Sequence, residues 1–333
     1  MDKINTVCTS NNQISDGLLP EIITFLDTMA ERAKPFPDAK SISPAQAREN
    51  AEIVRHYFTS DAPDMAKVEE FDIPYDGDFI KIRVYHPSIT TASPAFFYLH
   101  GGGWVLFSLD THDRVMREYA LRSNVCVIGI DYSLAPEFKY PYQINEIVHV
   151  ILWCKQHANK IGISAEKMIL GGDSAGANLS TASCLKLISD GFLDTIKGLV
   201  LNYGAFDASI VNRKTASLNS DEILLTSEQM IWFWEAYLGD NKLAKEPLVS
   251  PLLAELSCLP PVFMAISEFD ILLKENIAMR DKLMASKVDV EANIYQGTIH
   301  GFLESIRYGG VAEQAFQDTS AWLQHHFSSI ESD

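Results

Sequence analysis

Short apolar runs and helical patterns alternate along most of this chain of 333 residues. The apolar runs lie at residues 95–99, 125–130, 167–171, 197–201, 262–266 and 289–295. The helical patterns lie near residues 111–122, 142–158, 175–189, 272–286 and 312–327. Apolar strands that alternate with helices are typical of a parallel sheet with both faces covered. The alternation therefore predicts an α/β fold with a mainly parallel central sheet and helices on both faces.

Three segments depart from this alternation. Residues 17–58 have a helical pattern that a proline-rich turn divides into two helices. Residues 68–73 and 79–85 alternate like two antiparallel strands joined through Asp76-Gly77, which brings the expected sheet to about eight strands. Residues 205–250 carry no strand pattern but contain an aromatic helix, which indicates an insertion over the sheet.

A glycine-flanked serine stands between a predicted strand and a predicted helix, in the sequence Gly172-Asp173-Ser174-Ala175-Gly176. At such a junction the pattern Gly-x-Ser-x-Gly holds a nucleophilic serine on a sharp turn. Both glycines have a steric reason, because side chains there would collide with the strand and the helix. The pattern predicts Ser174 as a nucleophile and Asp173 as a structural neighbour.

Three consecutive glycines follow an earlier predicted strand, in the sequence His100-Gly101-Gly102-Gly103-Trp104. Without side chains, peptide N–H groups can approach a ligand oxygen closely, which is how an oxyanion hole is built. Together with the residue after the nucleophile, such a loop predicts donors at Gly102, Gly103 and Ala175. Two interpretations of Trp104 stay open, namely a wall of a substrate pocket and plain packing.

With these motifs the chain resembles the hormone-sensitive-lipase-like α/β-hydrolases and, within them, the bacterial acetyl esterases. The matching segments are His100–Trp104, Leu109–Arg114, Asp131–Glu137, Gly172–Gly176, Ser267–Asp270 and His300–Phe302. Two positions depart from the family pattern, because Ser133 replaces an arginine and Lys274 replaces a second acid. These departures affect local salt bridges more than the chemistry. The resemblance implies an α/β-hydrolase fold and an enzyme that acts on esters.

The resemblance also implies a helical cap above the active site. We assign residues 1–58 and 205–250 to this cap, and residues 59–333, with the cap insertion, to the catalytic domain. The insertion 205–250 could instead pack on the outer face of the sheet.

His300 is the predicted general base. Of the nine histidines it alone follows the last predicted strand and precedes the last helix, and the α/β-hydrolase order is serine, acid, histidine. The acid is expected after the strand at 262–266, where Glu268, Asp270 and Glu275 all qualify by position. The family motif places it on Asp270.

These residues predict a Ser-His-Asp acyl-enzyme mechanism. The expected activity is that of a carboxylesterase, and the resemblance implies short acyl groups, from acetyl to butyryl. An amidase, lactonase or deacylase of a particular metabolite would use the same machinery. A ligand-binding protein without catalysis is disfavoured, because Ser174, Asp270, His300 and the glycine loop are all present.

Charge argues against two classes of partner and leaves a small-molecule ester as the expected substrate, while protein partners stay open. The chain has 27 Lys and Arg against 44 Asp and Glu, a formal net charge of −17, which argues against nucleic acid and anionic membranes as partners. We see no signal peptide and no apolar run long enough to span a membrane, and so expect a cytoplasmic protein.

The sequence predicts neither a cofactor nor a metal. No cluster of His, Asp or Glu has ligand spacing, and no Gly-x-Gly-x-x-Gly opens a helix after a strand. The five cysteines are scattered and odd in number, which favours reduced thiols in the core.

Overall fold

A single eight-stranded sheet forms the centre of the computed structural model, which describes residues 17–90, 92–212 and 223–330. The strands are β1 (Lys67–Tyr75), β2 (Asp78–His86), β3 (Ser93–Leu99), β4 (Cys126–Ile130), β5 (Ile163–Asp173), β6 (Leu199–Asn202), β7 (Val262–Phe269) and β8 (Val290–Ile299). Their order is β1-β2-β4-β3-β5-β6-β7-β8. The pairs β1–β2 and β2–β4 are antiparallel and all others are parallel. The predicted mainly parallel sheet of about eight strands is confirmed.

Helices cover both faces of this sheet, as predicted. They are α1 (Pro20–Ala33), α2 (Pro44–Thr59), α3 (Asp113–Ser123), α4 (Tyr142–Gln156), α5 (Ala158–Ile161), α6 (Ala175–Ser189), α7 (Ser227–Leu238), α8 (Leu273–Ala285) and α9 (Val311–Ser329). Successive strand residues point to opposite faces, so Phe97 of β3 packs in one core with Leu179 of α6. Its neighbour Phe96 packs in a second core with Phe316 of α9.

The first two strands are joined by the turn that the sequence predicted. Asp76 and Gly77 have φ angles of 48° and 84°, and two successive positive φ values are those of a tight hairpin turn that matches strand twist. At the other end of the sheet, β5 is longer than its apolar run and extends to Asp173. The strand therefore ends directly at the proposed nucleophile.

Helices α1, α2 and α7 belong to the two segments predicted to form a cap. Before α1, Leu19 donates its N–H to the carbonyl oxygen of Gly297 in β8, at 3.1 Å. From α2, Nε of Arg48 donates to the carbonyl oxygen of Val105, at 2.8 Å. The ring of Phe233 in α7 lies against Gly103. Residues 1–16 and 213–222 of the predicted cap lie outside the described residues.

Two further observations on the described residues concern membrane spans and cysteines. No helix within the described ranges is long and apolar enough to cross a membrane. Among the four described cysteines, which are all free, Cys126, Cys154 and Cys184 are buried. Cys258 is exposed, so the prediction of a core position is wrong for this thiol. Cys8 lies outside the described residues.

Candidate active site

Ser174 occupies a strained turn between β5 and α6. Its backbone has φ 54° and ψ −117°, a conformation that a non-glycine residue adopts only where its surroundings enforce it. A Cβ on Gly172 or on Gly176 would overlap the carbonyl oxygen of Leu99 at the end of β3. The glycines thus let strand β3 and helix α6 approach closely. The N–H of Ser174 donates to the carbonyl oxygen of Asn202, at 2.9 Å, and so holds the turn against β6.

His300 and Asp270 converge on Ser174 from the ends of two neighbouring strands. Nε2 of His300 lies 2.9 Å from Oγ of Ser174, and Nδ1 lies 2.8 Å from Oδ2 of Asp270. The Asp270 side chain is 1% exposed, so the interaction with the imidazole is shielded from water. Parallel strands bring their carboxyl ends to one edge of the sheet, which is why residues so far apart in sequence meet here. The serine, the imidazole and the carboxylate form a continuous hydrogen-bonded row.

The three acids that could pair with His300 by their sequence position have different partners in the structure. Oδ1 of Asp270 accepts the N–H of Leu272, at 2.9 Å, which leaves Oδ2 directed at His300. Glu268 instead accepts the N–H of Gly297, at 2.7 Å. Glu275 lies on α8 and accepts the N–H of Phe206, at 3.2 Å. Asp270 therefore holds the position beside the imidazole that the family motif gives to the acid.

The glycine loop makes a tight turn that leaves some of its peptide N–H groups without an acceptor in the described backbone. Gly102 and Gly103 have φ angles of 102° and 60°, and the carbonyl oxygen of Gly102 accepts the N–H groups of Val105 and Leu106. Across residues 17–90, 92–212 and 223–330, the N–H groups of Gly102, Gly103 and Ala175 have no hydrogen-bond acceptor. Free peptide N–H donors of this kind are what an oxyanion hole requires.

Asp173 ties this loop to the nucleophile turn. Its carboxylate accepts the hydroxyl of Tyr98 at 2.8 Å and the N–H of Gly101 at 3.1 Å, and lies 3.5 Å from Nε2 of His112. Burial alone would raise the pKa of Asp173, but His112 and Tyr98 outweigh burial and hold that pKa below its usual value. Asp173 therefore points into the structure, as predicted.

His100 fixes the other side of the loop. Its Nδ1–H donates to the carbonyl oxygen of Gly101, at 2.7 Å, and its ring stacks on Tyr132 with the centroids 4.5 Å apart. Burial lowers the pKa of His100 to about 3, and His112 nearby acts in the same direction. The ring is therefore neutral at ordinary pH and serves to hold the loop.

Trp104 is fully buried. Its ring stacks on Tyr237 of α7, with centroids 4.7 Å apart and planes 9° apart, and contacts Trp234 at 4.1 Å. This position favours packing beneath α7 over contact with a substrate. A role of Trp104 as a wall of the substrate pocket stays a prediction.

Two residues near the site belong to no sequence motif. Phe233 rests on Gly103, and only the aromatic character of its helix could have pointed to it. Arg55 of α2 is buried and pairs with Glu304. The partners are 249 residues apart in sequence, so no local pattern marks them. In the described part of the chain, no group of three or more His, Cys, Asp or Glu side chains could hold a metal ion.

Comparison with known proteins agrees with this fold. The model of a family described as "alpha/beta hydrolase fold" matches residues 96–304, a stretch that includes the glycine loop and all three residues of the hydrogen-bonded row. The strand order and the strand–serine–helix turn define the same class. The chain belongs to the hormone-sensitive-lipase-like α/β-hydrolases.

Several solved structures are similar over nearly their whole length. One is a hyperthermophilic esterase from the archaeon Pyrobaculum calidifontis, with 28% identity, a TM-score of 0.84, and coverage of 94% of this chain and 99% of that one. A second, EstE1, is a thermostable carboxylesterase cloned from a metagenomic library, with 30% identity, a TM-score of 0.79, and coverage of 86% and 98%. A fungal esterase from Rhizomucor miehei has 29% identity, a TM-score of 0.85, and coverage of 94% and 98%.

Proposed function

We propose that this protein is a carboxylesterase that hydrolyses esters of short acyl groups, from acetyl to butyryl, through an acyl-enzyme on Ser174. The observation that carries the proposal is the row Ser174–His300–Asp270, with contacts of 2.9 and 2.8 Å. A serine hydroxyl is a weak nucleophile until a base within hydrogen-bond reach takes its proton, and the base needs a third group to orient it. The esterases among the structural neighbours support the choice of an ester as substrate.

In the proposed first step, Oγ of Ser174 attacks the ester carbonyl carbon while its proton passes to Nε2 of His300. Asp270 holds the imidazole in the tautomer with hydrogen on Nδ1 and stabilises the charged form that results. The carbonyl oxygen becomes an oxyanion that the N–H groups of Gly102, Gly103 and Ala175 bind. Loss of one such donor typically costs about 3 kcal/mol of transition-state stabilisation.

The second half of the reaction reverses these roles. The carbon–oxygen bond to the alcohol breaks, and the alcohol leaves with the proton from His300. Water then attacks the acyl carbon while His300 takes a proton from it, and His300 gives this proton to Oγ of Ser174 as the bond between Oγ and the acyl carbon breaks. The carboxylic acid product and the alcohol together account for the ester and one water.

The preference for short acyl groups is supported by the crowding above the glycine loop. The Phe233 ring lies where a side chain on Gly103 would stand, and α7 is held there by the Trp104–Tyr237 stack and by the N–H of Tyr140, which donates to the carbonyl oxygen of Tyr237 at 3.0 Å. We propose that α7, with α1 and α2, acts as the cap over the site. Little room then remains for a long acyl chain beside the oxyanion donors.

The first test is hydrolysis of p-nitrophenyl esters from acetate to palmitate, with Ser174→Ala as the control. We expect turnover to be fastest for acetate or butyrate, to fall with acyl length, and to be lost in Ser174→Ala while the melting temperature is kept. Turnover that persists in Ser174→Ala would reject the nucleophile. A folded wild-type protein that cleaves amides or lactones but none of these esters would transfer the proposal to the amidase or lactonase alternative.

A further inference from the structure

Arg55 is a buried cation that the proposed mechanism does not use. It is 8% exposed, its guanidinium pairs with the Glu304 carboxylate, and its Cζ lies 4.4 Å from the centroid of the Phe107 ring. Burial lowers the pKa of Arg55 to about 10, although the charge of Asp173 opposes this shift, so the group stays protonated at neutral pH. Burial of an arginine carries a large desolvation penalty, so an apolar side chain would fill this space at a lower cost in free energy.

Glu304 belongs to the loop that carries His300. It follows His300 by four residues, and its N–H donates to the carbonyl oxygen of Gly301, at 3.1 Å. Its Oε1 lies 3.4 Å from the point where a Cβ on Gly301 would stand. The carboxylate is therefore folded back onto the residue next to the imidazole. A displacement of Glu304 would be transmitted to His300 through a very short segment of backbone.

Phe107 belongs to the glycine loop. Its ring carbon Cδ2 lies 2.7 Å from the point where a Cβ on Gly102 would stand, so the ring rests directly on that glycine. The preceding residue, Leu106, donates its N–H to the carbonyl oxygen of Gly102, at 2.9 Å. A guanidinium over an aromatic face is attracted by the ring's electrons. Arg55 thus contacts the glycine loop on one side and the histidine loop on the other.

We propose that Arg55 is a positioning residue, which, held between Phe107 and Glu304, sets the spacing between the oxyanion donors and His300. We call these three side chains the Arg55 clamp. The inference rests on the proposed function, because the spacing matters only if both groups act on one substrate. Displacement of reacting groups by about 1 Å can cost about 100-fold in rate. The clamp also explains why α2, remote from Ser174 in sequence, carries a buried charge.

The experiment compares Arg55→Met, Glu304→Gln and the double variant with the wild type. We measure kcat and KM for p-nitrophenyl butyrate, and the melting temperature of each protein. Arg55→Met leaves a buried carboxylate unpaired and is expected to lower both kcat and the melting temperature. The double variant leaves no unpaired charge, so its melting temperature should return towards that of the wild type. Its kcat should stay about 10- to 100-fold low, with KM changed less than about threefold.

Two further variants separate positioning from general stability. Arg55→Lys keeps a cation for Glu304 but loses the flat stacking on Phe107, and should recover part of the lost kcat. Arg307→Met is the matched control, because the Arg307 guanidinium joins the same helix to the same loop through the carbonyl oxygens of Tyr57 and Ser60. Within the described residues, this guanidinium forms no hydrogen bond or ion pair with Glu304 and no ring contact with Phe107. We expect Arg307→Met to change the melting temperature and leave kcat unchanged.

A wild-type kcat in the double variant would overturn the proposal, as would a kcat that follows the melting temperature across all variants. If Arg55→Met and the double variant do not fold, a wild-type kcat in both Glu304→Gln and Arg55→Lys would overturn the proposal.

A second probe, diethyl p-nitrophenyl phosphate, distinguishes a failure of the Arg55 clamp from a failure of the proposed function. With this probe, Oγ of Ser174 bonds to phosphorus and p-nitrophenolate leaves. The rate of this single release measures the reactivity of Ser174 without a carboxylic ester. Slow release by the variants supports the clamp even if the wild type cleaves no carboxylic ester, whereas a wild type that releases none rejects Ser174 as the nucleophile and the clamp with it.

Discussion

Replacement of Asp270 by asparagine is the sharpest test of the hydrogen-bonded row. Oδ1 of Asp270 accepts the N–H of Leu272 and Oδ2 faces Nδ1 of His300. In Asp270→Asn the amide oxygen will keep the bond to Leu272, because only an acceptor fits there, and the NH₂ group will then face the imidazole. Nδ1 must become the acceptor, which puts the ring hydrogen on Nε2. His300 can then no longer take the proton of Ser174.

The expected magnitude follows from this change of tautomer. A base held in the wrong tautomer lowers kcat by about 10⁴-fold, which corresponds to about 5 kcal/mol in the barrier. The volume and the bond to Leu272 are kept, so the melting temperature should change little. We would measure kcat for p-nitrophenyl butyrate between about pH 6 and 9, with circular dichroism as the check on folding.

Glu268→Gln is the matched control for this prediction. Glu268 lies near the end of β7, two residues before Asp270. It accepts the N–H of Gly297, and a glutamine oxygen can accept the same bond. We expect its kcat to remain within about threefold of the wild type, since a surviving hydrogen bond leaves the loop in place. A crippled Glu268→Gln beside an active Asp270→Asn would refute the assignment of the acid and the tautomer argument together.

Two further predictions concern the cap and the glycine loop. Phe233→Ala removes the ring that rests on Gly103, and the ratio of kcat/KM for p-nitrophenyl hexanoate to that for acetate should rise on the order of 10-fold; an unchanged ratio would place the acyl chain elsewhere. Burial lowers the pKa of His100 to about 3 in the folded protein, whereas an unfolded chain protonates this imidazole near pH 6.5. The unfolded state therefore binds one more proton than the folded state between these pH values. The free energy of unfolding consequently decreases as the pH falls from about 6.5 towards 3. Between about pH 7 and 5 the free energy of unfolding should fall by about 2 kcal/mol on this account. In urea unfolding, the free energy of unfolding of His100→Gln should fall by about 2 kcal/mol less than that of the wild type over this pH range. An equal pH dependence in the two proteins would contradict a neutral buried ring.

Much of the fold and of the site could be predicted because both depend on local pattern. The strands show in the sequence as short apolar runs, and the turn shows as the pair Asp76-Gly77. Both patterns lie within a few neighbouring residues. Ser174 and His300 each follow a strand, and parallel strands deliver their carboxyl ends to one edge. Topology therefore brought residues together that the sequence holds far apart. The acid needed the family motif as well, since position alone also allowed Glu268.

The remainder depends on contacts that no local pattern contains. Trp104 is next to the glycine loop in sequence, yet its ring turns away into the stack with Tyr237, and a rotamer choice of this kind is decided by packing. Cys258 is apolar enough for a core but lies on an exposed turn. The Arg55–Glu304 pair joins a helix near the start of the chain to a loop near its end. Such pairs become visible only once the tertiary structure is known.

The contacts between α2 and the segment Phe302–Tyr308 have a consequence for the order in which the molecule forms. Arg55 meets Glu304 across 249 residues, and Arg307 meets Ser60 across 247. Closing a chain segment of this length costs entropy before any contact offsets it, so such pairings form after local ones. The hairpin β1–β2 and the individual helices can therefore exist while His300 still has no fixed relation to the glycine loop. We therefore expect the hydrogen-bonded row to be complete only once these long-range contacts have formed.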